Sequence, residues 1–137
     1  MIEADRRAID ELAAAFFDAF TNRNGVLPDV DRLYRLFIAE ALIINNNNGA
    51  TAIYDLPGFI EPRRAMLTDG TLGDFQEEET SQRTDIAGNV AHRLSEYRKA
   101  WTQAGRLHTG QGVKSLQLVR TAEGWRISAL VWEDVSG

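Results

Sequence analysis

The chain has 137 residues, 44% of them hydrophobic and 26% charged, which is enough for one buried core and too apolar for a disordered chain. Its 20 acidic residues outnumber 15 scattered basic ones, a net charge of −5 that excludes the electrostatic footprint of a nucleic-acid binder. The absence of cysteine excludes disulfides, thiolate nucleophiles and thiolate metal sites.

From the N-terminus, the charged segment Met1 to Arg7 runs directly into a helical pattern without the apolar core of an export signal. No apolar run approaches the ~20 residues that span a bilayer. The expectation is a cytoplasmic chain, outside the membrane, folded as a single domain over residues 1–137.

Ile9, Leu12, Ala13, Phe16, Phe17 and Phe20 recur at helical spacing, so the first helix presents an apolar stripe to a partner surface. It stops near Asn22-Arg23-Asn24-Gly25. Pro28 and Asp29 then open a short second helix, with Asp29 as N-cap and Val30, Leu33, Tyr34 and Phe37 on its buried edge. Ala41 to Ile44 reads as a buried strand, Asn45 to Gly49 as a turn tolerant of positive φ, and Ala50 to Tyr54 as the return strand. Asp55 caps a third helix carrying Phe59, Ile60, Met66 and Leu67, within which Pro62 should kink or restart the chain. From Phe75 the pattern becomes strands at 75–85, 90–101, 113–121 and 125–134, separated by Gly88-Asn89, a glycine-bearing loop and Gly124. Four strands in sequence predict an antiparallel meander.

This element order resembles the nuclear transport factor 2-like superfamily over essentially the whole chain. The segments Tyr34-Arg35-Leu36-Phe37, Phe59-Ile60-Glu61-Pro62-Arg63-Arg64, Gly88-Asn89-Val90-Ala91-His92, Ser115-Leu116-Gln117-Leu118 and Gly124-Trp125-Arg126-Ile127 are similar to members of it. The resemblance implies an α+β, cystatin-like cone, with three helices from the N-terminal half on a strongly curved, mixed, mainly antiparallel sheet of about six strands. The superfamily includes isomerases, cyclases, epoxide hydrolases, dehydratases and non-catalytic binding proteins, so fold does not select a reaction. Its ketosteroid isomerases imply a tyrosine on the first helix and an aspartate on the early hairpin. This chain has Phe16, Phe17 and Phe20 and a run of asparagines there, which cannot serve as oxyanion donor and base.

Pairing the last strands around Glu123 and a loop at 103–112 sorts their side chains onto two faces. One collects Ala91, Ser95, Tyr97, Trp101, Ser115 and Gln117, with Trp125 and Ile127, and is the expected pocket face. The other collects Leu94, Leu116, Leu118, Leu130 and Trp132 within a charged rim, the expected homodimer interface. A single β-bulge in the last strand would transfer Trp132 to the opposite side.

Tyr97 and Gln117 are the expected polar anchors for a ligand, or else satisfy each other or a water, with Ser95 and Ser115 leaving room and Trp101 as a wall. Neither serine has a neighbouring base to activate it. His92 and an inward Glu79 are the acid–base candidates, against a rim or interface histidine and a solvated acidic edge strand. Alternation sends either Glu78 or both Glu77 and Glu79 inward. His92 and His108 lack the carboxylate spacing of a metal site, and Gly110-Gln111-Gly112 reads as a flexible strand entry rather than a dinucleotide loop, so no metal or cofactor is expected. The function expected is small-molecule binding in an apolar, aromatic cone. The alternatives are a cofactor-free isomerase, lyase or cyclase, and a non-catalytic dimerisation or protein-binding module.

Overall fold

The structure, a computed structural model, describes residues 2–135. Helix α1 (Ile2–Asp18), the single turn α2 (Leu33–Leu36) and α3 (Leu56–Thr68) cover one face of a six-stranded sheet. Its strands are β1 (Phe37–Asn45), β2 (Ala52–Tyr54), β3 (Gly73–Ala87), β4 (Val90–Gln103), β5 (Arg106–Thr121) and β6 (Gly124–Val135), in the spatial order β2-β1-β6-β5-β4-β3. β1 runs parallel to β6 and all other pairs are antiparallel, so the sheet is mixed and curved, as the resemblance implied.

The stripe of α1 is buried as its spacing predicts, with Ile9 and Phe16 fully inaccessible beneath it. Phe16 meets Phe17, Phe20 and Phe37 edge-on, at ring separations of 5.3, 5.5 and 6.0 Å, the preferred aromatic arrangement. Leu33, Ile43, Ile60, Leu116, Ile127 and Leu130 close the core from the other elements. Each such side chain contributes roughly 1.5–3 kcal/mol by leaving water.

The N-cap of α3 is as expected, with the Gly58 amide donating to Asp55 Oδ1 at 2.8 Å. Three local expectations change. The second helix begins as a 3-10 turn at Val30–Arg32, Asp29 makes no side-chain cap, and Phe37 already belongs to β1. Pro62 leaves α3 continuous from Leu56 to Thr68. The supposed loop at 103–112 is mostly strand, because Ala104 and Gly105, at φ 52° and 76°, make a two-residue hairpin turn.

That tight turn decides the faces. It pairs Gln103 with Arg106 and therefore Tyr97 with Gly112, not Gln117, and Ser95 with Lys114, five residues out of step with the pairing the longer loop implied. Side chains alternate with period 2, so a slip by any odd number of residues exchanges the two sides of a strand. Leu116 and Leu118 consequently point into the core and Ser115 and Gln117 point away from the helices. In β6 the extra residue Ser128 forms a bulge, and this turns Leu130 and Trp132 inward together with Trp125 and Ile127. The expected dimer surface is therefore not a surface. Leu116, Leu118 and Leu130 are buried at 0 to 1% exposure, and only Leu94 of that group lies outside.

Candidate functional site

Residues of β3, β4, β5 and β6 meet the inner side of α3 at one place. A bulge between Glu79 and Ser81 keeps Glu77 and Glu79 on the inner face and sends Glu78 out. Phe20, Phe59, Leu67, Phe75 and Trp132 wall a cavity of about 160 Å³ there. Arg63, Glu77, Lys99, Lys114 and Asp134 enter it as charged groups.

Lys114 lies deepest. Its ammonium stands 2.7 Å from Glu77 Oε1, and the two side chains are only 8% and 6% exposed. The pair meets at an angle poorly aligned for a hydrogen bond, leaving Glu77 Oε1 without one. Four rings surround the ammonium, with the Tyr97 centroid nearest at 4.5 Å and Phe16, Trp132 and Phe17 at 5.4, 5.6 and 5.7 Å. Burial pushes the Lys114 amine below the ordinary lysine range, and the Glu77 charge restores only part of that fall.

Asp134 is the second anionic centre. It accepts hydrogen bonds from the Tyr97 hydroxyl, from Lys99 Nζ at 3.1 Å and from Asn47 Nδ2 at 3.3 Å. Burial raises its carboxyl, but the Tyr97 hydroxyl and the Lys99 charge outweigh that and hold it below the usual carboxylate range. Burial, then the neighbouring Asp134 carboxylate, raises the Tyr97 phenol above its usual range, so the phenol stays protonated and acts as a donor. Gly112 makes this crossing possible, since a Cβ there would lie 2.5 Å from the Tyr97 oxygen and 2.3 Å from the Glu133 carbonyl. Its role is to clear space, which replaces the expectation of a flexible strand entry.

Arg63 projects from α3 one turn after Phe59. Its guanidinium carbon lies 4.2 Å from the Phe59 ring centroid and 5.3 Å from that of Trp132, and its Nη1 donates to the Phe59 carbonyl at 2.9 Å. Among the described residues no carboxylate is ion-paired with it, and burial lowers its pKa from the ordinary arginine value.

Of the residues singled out from sequence, only Tyr97 belongs to this inner group, as a structural donor to Asp134. Gln117 sits on the outer face opposite His92 in register, so the expected Tyr97–Gln117 pair does not exist. Ser115 is outside as well. Ser95 is buried but donates to Glu79 Oε2 at 2.5 Å. Trp101 lines a wider, shallower depression of about 610 Å³ outside the cavity, stacked on His108 at 5.4 Å, and the two spaces share Lys99 and Asp134.

The acid–base candidates are also committed elsewhere. Glu79 accepts from Arg93 Nε at 3.0 Å and Nη2 at 2.6 Å, while Arg93 also reaches Asp10 at 2.7 Å and Thr84 at 3.0 Å. This network ties β3 and β4 to α1, and Glu79 does not line the cavity. His92 is half exposed on the outer face, 2.8 Å from Asp85. Among the described residues no group of three His, Asp or Glu side chains could hold a metal ion, and no helix is long and apolar enough to cross a membrane.

Sequence reasoning missed Arg63, Lys99, Lys114, Glu77 and Asp134 as a set. The signal for Lys114 was the alternation of β5 itself: Leu116 and Leu118 are the apolar parity, and Lys114 shares it. Arg63 stands four residues after Phe59, on the same helical face.

No protein-family model matches this chain, and no curated protein matches it by sequence. Solved structures do match. A nuclear transport factor 2-like superfamily protein from Salmonella enterica superposes with a TM-score of 0.81 at 13% identity, over 100% of this chain and 95% of that one. A protein from Novosphingobium aromaticivorans, provisionally named an aromatic ring hydroxylase, gives 0.80 at 19% identity over 100% and 92%. A nuclear transport factor 2-like protein with a cystatin-like fold from the same organism gives 0.74 at 17% identity over 99% and 85%. The fold of this chain is thus the cystatin-like, nuclear transport factor 2-like one, and at these identities the likeness extends to fold alone.

Proposed function

We propose that this chain binds a small apolar or aromatic molecule in the cavity beneath α3. One observation carries the reading: five charged side chains, Arg63, Glu77, Lys99, Lys114 and Asp134, converge on an aromatic-walled space. Buried ion pairs are often neutral or destabilising relative to apolar packing, so an occupant that needs them accounts for their presence. The size sets the class. A cavity of about 150 Å³ holds a benzene ring, so about 160 Å³ suits one ring and leaves no space for a steroid.

Native mass spectrometry of the purified protein, compared with its denatured mass, tests this. The expected result is an added mass that disappears on denaturation, or one that appears on adding a single-ring compound. A protein that takes up none would sink the reading.

A second reading is catalytic, favoured by the Lys114 amine, which burial pushes toward its neutral form beside Glu77. A neutral amine can take a proton from a bound substrate, as a cofactor-free isomerase, lyase or cyclase requires. Turnover that rises with pH and is lost in Lys114→Met would support it.

A homodimer remains part of the proposal, through the outer sheet face as it now stands. Ile53 pairs with Ile44, Ile44 with Val131, Val131 with Ser115 and Ser115 with Leu94, which makes a row across five strands that is apolar except at Ser115. The same native mass measurement reads the subunit number. A cytoplasmic location also stays a proposal, to be checked by cell fractionation.

A further inference from the structure

Charge bookkeeping within the cavity leaves one group over. Lys99 is matched by Asp134 at 3.1 Å and Lys114 by Glu77 at 2.7 Å. Arg63 has no such match among the described residues. Its guanidinium carries five N–H donors in a planar fork, of which the Phe59 carbonyl takes one. Its guanidinium carbon lies 4.2 Å from the Phe59 ring centroid and 5.3 Å from that of Trp132, against the aromatic wall of the cavity, and its remaining N–H donors have no side-chain partner among the described residues.

With Lys114 protonated beside Glu77, three cations and two carboxylates give the cavity one net positive charge. A cationic ligand would meet uncompensated repulsion there. A neutral one would leave the half-buried guanidinium without a counter-charge. A phosphate monoester brings nearly two negative charges and would leave one of them unmatched. A carboxylate brings one, and its two oxygens fit the fork of an arginine edge.

We infer that the ligand of this cavity is a small aromatic or apolar carboxylate, its carboxylate held by Arg63 and its ring seated among Phe20, Phe59, Phe75 and Trp132. This rests on the binding function proposed above and adds the chemical class of the ligand. The Lys99–Asp134 pair stands where the cavity meets the outer depression, so the bound ring lies behind it.

The test is isothermal titration of the intact protein with benzoate and, separately, with benzyl alcohol, which keeps the ring and lacks the charge. Wild type should prefer benzoate by roughly 10-fold to 100-fold, the worth of one charge-assisted hydrogen-bonding group. Arg63→Met should lose that preference, read as the ratio of the two dissociation constants within the same variant. Arg63→Lys, which keeps the charge and loses the fork, should lose part of it and serves if the methionine variant does not fold. Equal binding of the two compounds to wild type, or a preference that survives in both variants, would overturn the carboxylate inference and leave the pocket standing. Failure of wild type to bind either compound would overturn the pocket with it.

Discussion

Replacing Lys114 by methionine removes the ammonium from a site where its partner cannot follow it into water. Glu77 is 6% exposed, and no other cation lies within ion-pairing distance of it among the described residues. Methionine restores most of the lost volume against Phe16, Phe17, Tyr97 and Trp132, so the cavity term is small and the orphaned carboxylate dominates. Removing one partner of a buried pair costs about 3–5 kcal/mol, whereas replacing both by apolar residues is neutral or stabilising by about 1–4 kcal/mol. Lys114→Met should therefore lower the urea midpoint by about 2 M, for a slope near 2 kcal/mol/M. Glu77→Leu alone should do the same, and the double variant should unfold at or above the wild-type midpoint. The four proteins form a thermodynamic cycle in which the coupling exceeds either single effect. If Lys114→Met is within about 0.5 kcal/mol of wild type, the range of an ordinary surface substitution, the pair is solvated and the reasoning fails.

Glu77→Gln offers a pH test of the same pair. The folded-state amine of Lys114 is lowered, so at neutral pH its protonation is a cost of folding that disappears as pH rises toward the ordinary lysine range. With glutamine at 77 that cost grows, so the variant's stability deficit should shrink between pH 7 and pH 10, roughly the ordinary lysine value, when both are followed by urea denaturation. A deficit constant with pH would contradict this. Asp5 behaves in the opposite sense: bidentate hydrogen bonds from Arg120, both at 2.6 Å, hold its carboxyl at about 2 against an ordinary 3.8. Its contribution is complete above the ordinary value and is lost as pH falls toward the folded one, so Asp5→Asn should flatten the acid limb of the stability profile. An acid limb as steep as wild type would show the pair to be inconsequential. Gly112→Ala should destabilise by about 3 kcal/mol or more, since its Cβ meets a backbone carbonyl as well as Tyr97. Tyr97→Phe should not rescue it, and calorimetric melting of the two variants decides the point.

The parts of this fold legible in the sequence were those set by local chemistry. The α1 stripe, the Asp55 cap and the asparagine turn, with Asn48 and Gly49 at φ 55° and 74°, follow from spacing and from which residues tolerate which backbone. The candidate site was legible only in fragments because it depends on parity. Reading Ala104-Gly105 as part of a long loop shifted β4 against β5 by five residues, and a slip by an odd number moves Gln117 out and Lys114 in. The Ser128 bulge then restored Trp132 and Asp134 to the inner face, an insertion whose consequence was foreseeable and whose position was not. Charged residues in strands ordinarily mark the solvent side, and here Glu77, Lys99, Lys114 and Asp134 do the reverse because they pair, Glu77 with Lys114 and Lys99 with Asp134.

The three tryptophans give the most direct test of the cavity as a binding site. Trp132 lines the cavity, Trp101 lines the outer depression, and Trp125 lies elsewhere, donating to Asp5 beneath the start of α1. Their indole N–H signals in a nitrogen-15 correlation spectrum can be followed while benzoate is added. The account predicts that the Trp132 signal shifts in a saturable way, that Trp101 moves less, and that Trp125 stays in place. A Trp132 signal that does not move while Trp101 responds would put the ligand in the outer depression and contradict the cavity as the site.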